Sequence, residues 1–284
     1  MCIKAMILGI SSFAYGWWAG VRNIRPDKPL SENDLVAIAR RHGLHCIQFG
    51  DNLPVHTFDP ERRELLKRNV VENGIRIELG ARGLTEKHLN TYIELAAFYG
   101  APLIRFVIDE GDYAPSIPAV ADLIADFIPR LEQQSVVLGI ENHDRFKARE
   151  LVFLMESLGS PNVGICLDTV NSLGAGEGLD HVAELLSRYT VNLHIKDFTV
   201  HRVVHSMGLN VTGVPAGQGF VDTKSLVEKL QRFGRCQSAI LEQWVPFQSD
   251  LNTTLALEQA WAEESIQYLK TIDLFEYQRT NHII

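Results

Sequence analysis

Four short apolar runs in the second half of the chain each end in a side chain that can ligate a metal. They cover residues 136–141, 163–168, 191–194 and 239–242, and they close on Glu141, Asp168, His194 and Glu242. Such runs read as buried parallel strands. One carboxylate or imidazole at a strand end is commonplace, and it usually caps a helix or faces solvent. Four in succession, with a helical pattern between each pair, is a different signal. If the strands close into a barrel, their carboxyl ends share one face and the four side chains meet. Three carboxylates and one imidazole form a hard, mostly oxygen site suited to one divalent ion, Mn²⁺, Mg²⁺, Co²⁺ or Zn²⁺.

Spacing and alternation support that reading. Asp168 follows Glu141 by 27 positions and His194 follows Asp168 by 26, about one β/α unit each; Glu242 comes 48 later because a long connection intervenes. Strand alternation puts Gly139 and Val137 on the face of Glu141, Gly164 and Cys166 on that of Asp168, and Asn192 and Lys196 on that of His194. The small residues leave room beneath the carboxylates. Lys196, followed by Asp197, can hold a developing oxyanion or form a structural pair. His143 faces as Glu141 does, toward substrate or a ligand.

The elements that must position these groups recur along the whole chain. Strands are expected over 5–11, 46–50, 75–81 and 103–108. Helices are expected over 31–42, 61–72, 85–99, 117–132, 147–158, 179–189, 223–233 and 255–271. Leu65, Leu66, Val70 and Val71 are assigned to one stripe, and Leu89, Tyr92, Ile93 and Ala96 to another. Ser31 with Asp34 three positions on reads as a helix start. Eight strands alternating with eight helices predict an α/β fold, a (β/α)₈ TIM barrel, as one domain over residues 1–284. No glycine-rich dinucleotide fingerprint follows the first strand. The connection 198–221 is unusually long; its glycines suggest a mobile loop that closes over the site. Its Arg202 and His205 are candidates for an anionic group of the substrate. Gln48, at the end of the second strand, is a candidate for a substrate hydroxyl, and Trp17 for a sugar-pocket wall. Glu78 and Arg82 are candidates for an ion pair at the rim.

Composition sets the outer limits. The 284 residues are 46% hydrophobic and 22% charged, ordinary for a globular protein. The net charge of −8 argues against a nucleic-acid partner. No run is long enough for a membrane helix. Met1–Lys4 leads straight toward a strand and lacks a leader's layout. Cys2, Cys46, Cys166 and Cys236 are scattered, which suggests reduced thiols and a cytoplasmic setting.

With these motifs assembled, the chain resembles the sugar phosphate isomerase/epimerase group of xylose-isomerase-like TIM barrels. The resemblance rests on Glu141-Asn142-His143, Leu167-Asp168-Thr169, His194-Ile195-Lys196-Asp197, 217–222 (Gly-Gln-Gly-Phe-Val-Asp) and Leu241-Glu242. It implies Glu141, Asp168, His194 and Glu242 as metal ligands, with Glu141 and Glu242 doubling as proton-transfer groups. It implies a divalent-metal-dependent isomerase or epimerase of a small sugar or sugar derivative, working through an enediolate, with Lys196 and His143 at the oxyanion. A lyase that decarboxylates or dehydrates a keto sugar acid is the alternative, and a non-catalytic sugar binder a third reading. The expected partner is a small carbohydrate or sugar acid, with no nucleic acid or membrane, and a homo-oligomer is compatible with the group. Three positions depart from the epimerase pattern: Asn171 where many members have His, Lys147 where the epimerases have a second Glu, and Val200 where they have Arg.

Overall fold

Each strand of the barrel is a run whose side chains are buried on both faces, one against the helices and one inside the ring. The computed structural model describes residues 5–277. Met1–Lys4, including Cys2, lie outside them. The barrel strands are β1 (Met6–Ser11), β2 (Cys46–Phe49), β3 (Arg76–Arg82), β4 (Leu103–Val107), β5 (Val137–Glu141), β6 (Val163–Asp168), β7 (Thr190–Ile195) and, after a hairpin, β10 (Ser238–Leu241). They pair in parallel in chain order, and β10 pairs back to β1, which closes the ring as a (β/α)₈ barrel. A short β11 (Phe275–Glu276) extends β1 on the outside.

The surrounding helices are α1 (Gly16–Ala19), α2 (Glu32–Arg41), α3 (Pro60–Glu72), α4 (Glu86–Tyr99), α5 (Ile117–Gln133), α6 (Ala148–Leu158), α7 (Leu179–Leu186), α8 (Thr223–Gln231) and α9 (Leu251–Lys270). Local chemistry sets their starts. Ser31 accepts from Asp34 N at 3.2 Å while Asp34 accepts from Ser31 N at 2.9 Å, the reciprocal pair expected there. On α4 the stripe Leu89, Tyr92, Ile93 and Ala96 is buried as expected. On α3 only Leu66 and Val70 are buried; Leu65 and Val71 face water at 46% and 70% exposure. The contact seam there is narrower than the four-residue stripe, because i and i+4 stay on one line while their neighbours turn 100° away. The expected helix over 179–189 ends earlier, at Leu186, in a 3₁₀ turn over Ser187–Tyr189.

The long connection is not an irregular loop. It is an antiparallel hairpin, β8 (Asp197–Arg202) with β9 (Leu209–Val214), followed by a return tied to Asp197. Gly217 N and Gly219 N donate to Asp197 Oδ2 at 2.9 Å, and Val221 N donates to Oδ1 at 3.1 Å. Gly213 and Gly219 permit close approach rather than bending: a Cβ would lie 2.2 Å from the Trp244 carbonyl at the first and 2.2 Å from Asp197 at the second.

Helix α9 buries polar groups that hold other loops. Ser265 accepts from Ala216 N at 2.9 Å, and Glu258 accepts from Trp17 N and Trp18 N at 2.8 and 3.0 Å. Burial raises the Glu258 carboxyl from 4.5 to about 7, against those two amides. The folded chain therefore keeps a proton that the unfolded chain releases, so stability falls as pH climbs from about 5 through 7. The total is of order 3 kcal/mol. Urea midpoints across that window are expected to decline in the wild type and to stay flatter in Glu258→Gln; parallel curves would count against it.

Candidate functional site

The barrel register brings the strand-end residues together. Asp168 is in register with His194, and Glu141 with Cys166. A register shift between Ile165 and Cys166 sets the β6 half of this alignment, as bulges near sites often do. Glu141, Asp168, His194 and Glu242 are all buried, at 2% exposure or less. His194 Nδ1 lies 3.4 Å from Glu141 Oε2, 3.9 Å from Asp168 Oδ2 and 3.4 Å from Glu242 Oε1.

Of those four buried atoms, His194 Nδ1 and Glu242 Oε1 have no hydrogen-bond partner among the described residues, while Asp168 Oδ2 and Glu141 Oε2 have only the Lys196 and Arg105 cations beside them. Buried polar atoms are normally satisfied, so a convergent pair of orphans flanked by two carboxylates points to a partner between them. Two donors sharing a cation at about 2.1 Å lie roughly 3–3.5 Å apart. The observed spacings match or slightly exceed this, and Asp168, His194 and Glu242 form one metal-sized triad while Glu141, Cys166 and His194 form another. The residues present fit a single divalent ion. His194 is held in the ligating tautomer from below: its Nε2 bonds Gln48 Oε1 at 2.7 Å, which leaves Nδ1 free. Burial lowers His194 to about 4, so it is neutral at physiological pH.

Lys196 and Arg105 stand among the carboxylates. Lys196 Nζ lies 2.7 Å from Asp168 Oδ2 and 3.1 Å from Glu242 Oε2. Arg105 pairs with Glu141 and reaches Asp51 at 3.5 Å. Gly139, in register with Arg105, carries no side chain. The two candidate bases diverge. Burial raises Glu141 to about 7, tempered by Arg105 and reinforced by Asp168. Burial works to raise Glu242 too, yet His194, Lys196 and Arg105 hold it well below the carboxylate range. Burial opposes the Lys196 ammonium, and Asp168, Glu242 and Glu141 more than offset this, so it stays charged.

A cavity of about 340 Å³ opens above this cluster, lined by Arg82, Arg105, Glu141, His143, Asn171, Lys196 and Glu242 among others. His143 Nε2 is 3.3 Å from Arg82 Nη2, and burial lowers its pKa. Asn171, one of the departures, bridges the site: its Nδ2 donates to Glu141 Oε1 at 2.7 Å and its Oδ1 lies 3.4 Å from Lys196 Nζ. Lys147 instead caps α6 and bonds the Ala175 carbonyl, outside the cavity lining.

Four expected substrate contacts are placed elsewhere. Arg202 and His205 are exposed near the hairpin turn, where Arg202 donates to Ser206 O at 3.2 Å, because β8 carries them outward as a strand. Trp17 donates through Nε1 to Val245 O at 2.7 Å and packs on Phe247, and it does not line the cavity. Gln48 lies in the barrel floor, where Nε2 donates to Asn192 at 3.1 Å and Glu78 at 3.2 Å. Glu78 does not pair with Arg82. Those two sit four residues apart on one strand, about 13 Å along it; Glu78 meets Arg76 at 2.8 Å in the floor, while Arg82 faces Asp51 at 3.6 Å at the rim. Arg105 was not anticipated. Its signal was an arginine inside the apolar run Leu103-Ile104-Arg105-Phe106-Val107, which in a fully buried strand must find an anion.

The role of Gln48 is testable. Gln48→Leu removes the acceptor for His194 Nε2–H and is expected to weaken divalent-metal affinity roughly 10–100-fold. Chelator competition measures this; unchanged affinity would sever Gln48 from the site.

Comparison with known proteins agrees with this geometry. A family model described as a xylose isomerase-like TIM barrel matches residues 36–272. The 3-oxo-isoapionate decarboxylase of Pectobacterium atrosepticum is 31% identical over 279 residues, 98% of this chain and 100% of that protein. For the fold alone, a D-psicose 3-epimerase crystallised with D-fructose superposes at a TM-score of 0.68 with 14% identity, over 94% of this chain and 98% of its own. A xylose isomerase-like TIM barrel protein from Mycobacterium smegmatis in complex with magnesium superposes at 0.65 with 14% identity, over 94% and 98%. A barrel closed in chain order, four ligand-type groups at its strand ends and a match over most of the length agree: the chain belongs to the xylose isomerase-like TIM barrel family.

Proposed function

We propose that this protein is a divalent-metal-dependent lyase that decarboxylates a keto sugar acid, the alternative in the sequence reading rather than its leading isomerase or epimerase. The carrying observation is a rim of donors on the cavity. Arg105 and Lys196 are matched by Glu141, Asp168 and Glu242, whereas Arg82 has, among the described residues, only Asp51, at 3.6 Å, and stands beside His143 on the cavity lining. A guanidinium placed there suits a substrate carboxylate, which a neutral ketose lacks. The kinship with a decarboxylase over the full length supports the same reading. So does the position of Lys147, which leaves no second glutamate base where the epimerases have one.

Glu141, Asp168, His194 and Glu242 are the residues that would hold the metal, which supplies Lewis-acid polarisation of a keto group and its neighbouring hydroxyl. Manganese, magnesium, cobalt and zinc all suit the donor set. Arg82 and His143 at the rim orient the substrate carboxylate. The bond between the carboxylate carbon and the α-carbon breaks, its electron pair moves toward the keto oxygen, and CO₂ leaves. The Lys196 ammonium donates a hydrogen bond to the oxygen that gains charge. It then gives a proton to the α-carbon as the keto group re-forms, and it regains one from water. Arg105 tempers the tendency of the buried Glu141 to take that proton.

Among the described residues, no helix is long and apolar enough to cross a membrane. We take the substrate to be a small polar molecule and the setting to be cytoplasmic.

The test uses the metal-loaded protein in D₂O. With keto sugar acids, CO₂ is expected in equal amount to a product carrying one deuterium at the former α-carbon, with no wash-out of protons from neutral ketoses. Exchange or epimerisation of neutral ketoses without CO₂ would reinstate the isomerase.

A further inference from the structure

The outer half of the β8–β9 ribbon has little of its own chain to lean on. Among the described residues its strands pair only with each other, from Asp197–Val214 out to Arg202–Leu209. Val204, Met207, Leu209 and Val211 are 106%, 86%, 61% and 47% exposed. A two-stranded ribbon in water is marginal by itself, and a cluster of bare aliphatic side chains marks a contact surface. The segment 198–221 contains no aspartate or glutamate, yet it carries His201, Arg202 and His205, in a chain of net charge −8.

A matching surface lies at the root of the ribbon. A cavity of about 650 Å³ is lined by Phe198, Phe220, Leu226, Asp180, Asp222, His181 and Lys229 among others. Phe220 is 67% exposed and lies 5.8 Å from the Phe198 ring, so the groove offers aromatic surface to an aliphatic guest. Its cations already have partners: Lys229 meets Glu184 at 2.8 Å, and His181 meets Glu177 at 3.7 Å. Asp222 is held in turn by Ser225 N and Oγ at the start of α8, so Asp180 is the charge in the groove left without a side-chain partner among the described residues. The ribbon is apolar with one cation, Arg202; the groove is apolar with one unmatched anion, Asp180.

We infer that the ribbon is an arm exchanged between two copies of this chain. Met207 and Leu209 of each copy seat against Phe198 and Phe220 of the other, and Arg202 of each faces the other's Asp180. Each chain carries one arm and one groove, so a single two-fold operation satisfies both and closes the assembly. The charge pattern favours another copy over a basic or neutral partner, because the groove that complements the arm belongs to this same chain.

Sedimentation velocity of the full chain across the micromolar range tests the arm exchange. The wild type is expected at twice the mass of the chain. Leu209→Glu is expected to yield monomer with an unchanged circular dichroism spectrum, since the side chain lies outside the core. Arg202→Asp and Asp180→Arg alone are each expected to weaken association roughly 10-fold or more, and the two together to restore it, because like charges facing each other are replaced by an opposed pair. A wild type that stays monomeric overturns the inference. A dimer indifferent to Leu209→Glu overturns it too, as does a double swap no tighter than the weaker single variant.

Discussion

Asp168→Asn is expected to leave a folded protein that binds no divalent metal after dialysis and turns over at least about 10³-fold more slowly. The argument is geometric. Asp168 Oδ1 accepts from Val170 N and Asn171 N, both at 2.8 Å. Those amides hold the asparagine oxygen in the same place, so its NH₂ replaces Oδ2. A donor would then point at the atoms that converge on the site, 2.7 Å from Lys196 Nζ and 3.9 Å from His194 Nδ1. The side chain changes from acceptor to donor with no change in shape. Loss of the cation removes several kcal/mol of charge stabilisation, and about 4 kcal/mol is roughly 10³-fold in rate. Metal analysis by plasma mass spectrometry beside steady-state assay gives the result, and full stoichiometry in the variant would refute the ligand assignment.

Lys196→Gln separates metal binding from chemistry in the opposite sense. Turnover is expected to fall roughly 10²–10³-fold, the usual cost of losing one donor at a developing oxyanion. Metal affinity is expected to hold or to tighten, because the substitution takes a cation out of a nest of three carboxylates. Lys196 also helps to hold Glu242 deprotonated, with its Nζ 3.1 Å from Glu242 Oε2. Without the ammonium, proton competition at Glu242 begins at higher pH, so the acid limb of metal binding is expected to move up. Metal titrations over a pH series, with kcat at saturating metal, give both numbers. A variant that loses metal and keeps its residual rate would mean that Lys196 organises the carboxylates and takes no part in the reaction.

Taken together, the two substitutions bear on the isomerase-versus-lyase question. An isomerase needs one of the carboxylates as a free base. Glu141 is tied to Arg105 and Glu242 to Lys196, with Asn171 donating to Glu141 as well. A decarboxylation makes no such demand, since the departing carboxylate leaves its electron pair behind and only a proton donor is needed afterwards.

The local sequence determined the strands and their ends. Apolar runs of strand length, separated by capped amphipathic helices, can bury both faces only in a closed or covered parallel sheet, and the regular spacing of Glu141, Asp168 and His194 places them at equivalent points of successive units. That much is visible because each signal is carried by neighbours in the chain. The hairpin is half-legible: Phe198-Thr199-Val200-His201-Arg202 and Leu209-Asn210-Val211-Thr212 have strand composition, but glycine content alone does not separate a flexible loop from a tight approach, and Gly213 and Gly219 are small so that Trp244 and Asp197 can come close.

What tertiary structure decided is which distant groups share a point in space. Arg105 reaches Glu141 across an inter-strand register that passes over a glycine. Gln48 belongs beneath His194 rather than against a substrate, and Asn171 and Lys196 meet over the same carboxylate cluster. Arg202 and His205 are carried away from the cavity by a ribbon whose direction depends on Asp197 anchoring its return. Pairings such as these are set by register, strand tilt and the closure of the ring, and no periodicity within a single segment encodes them.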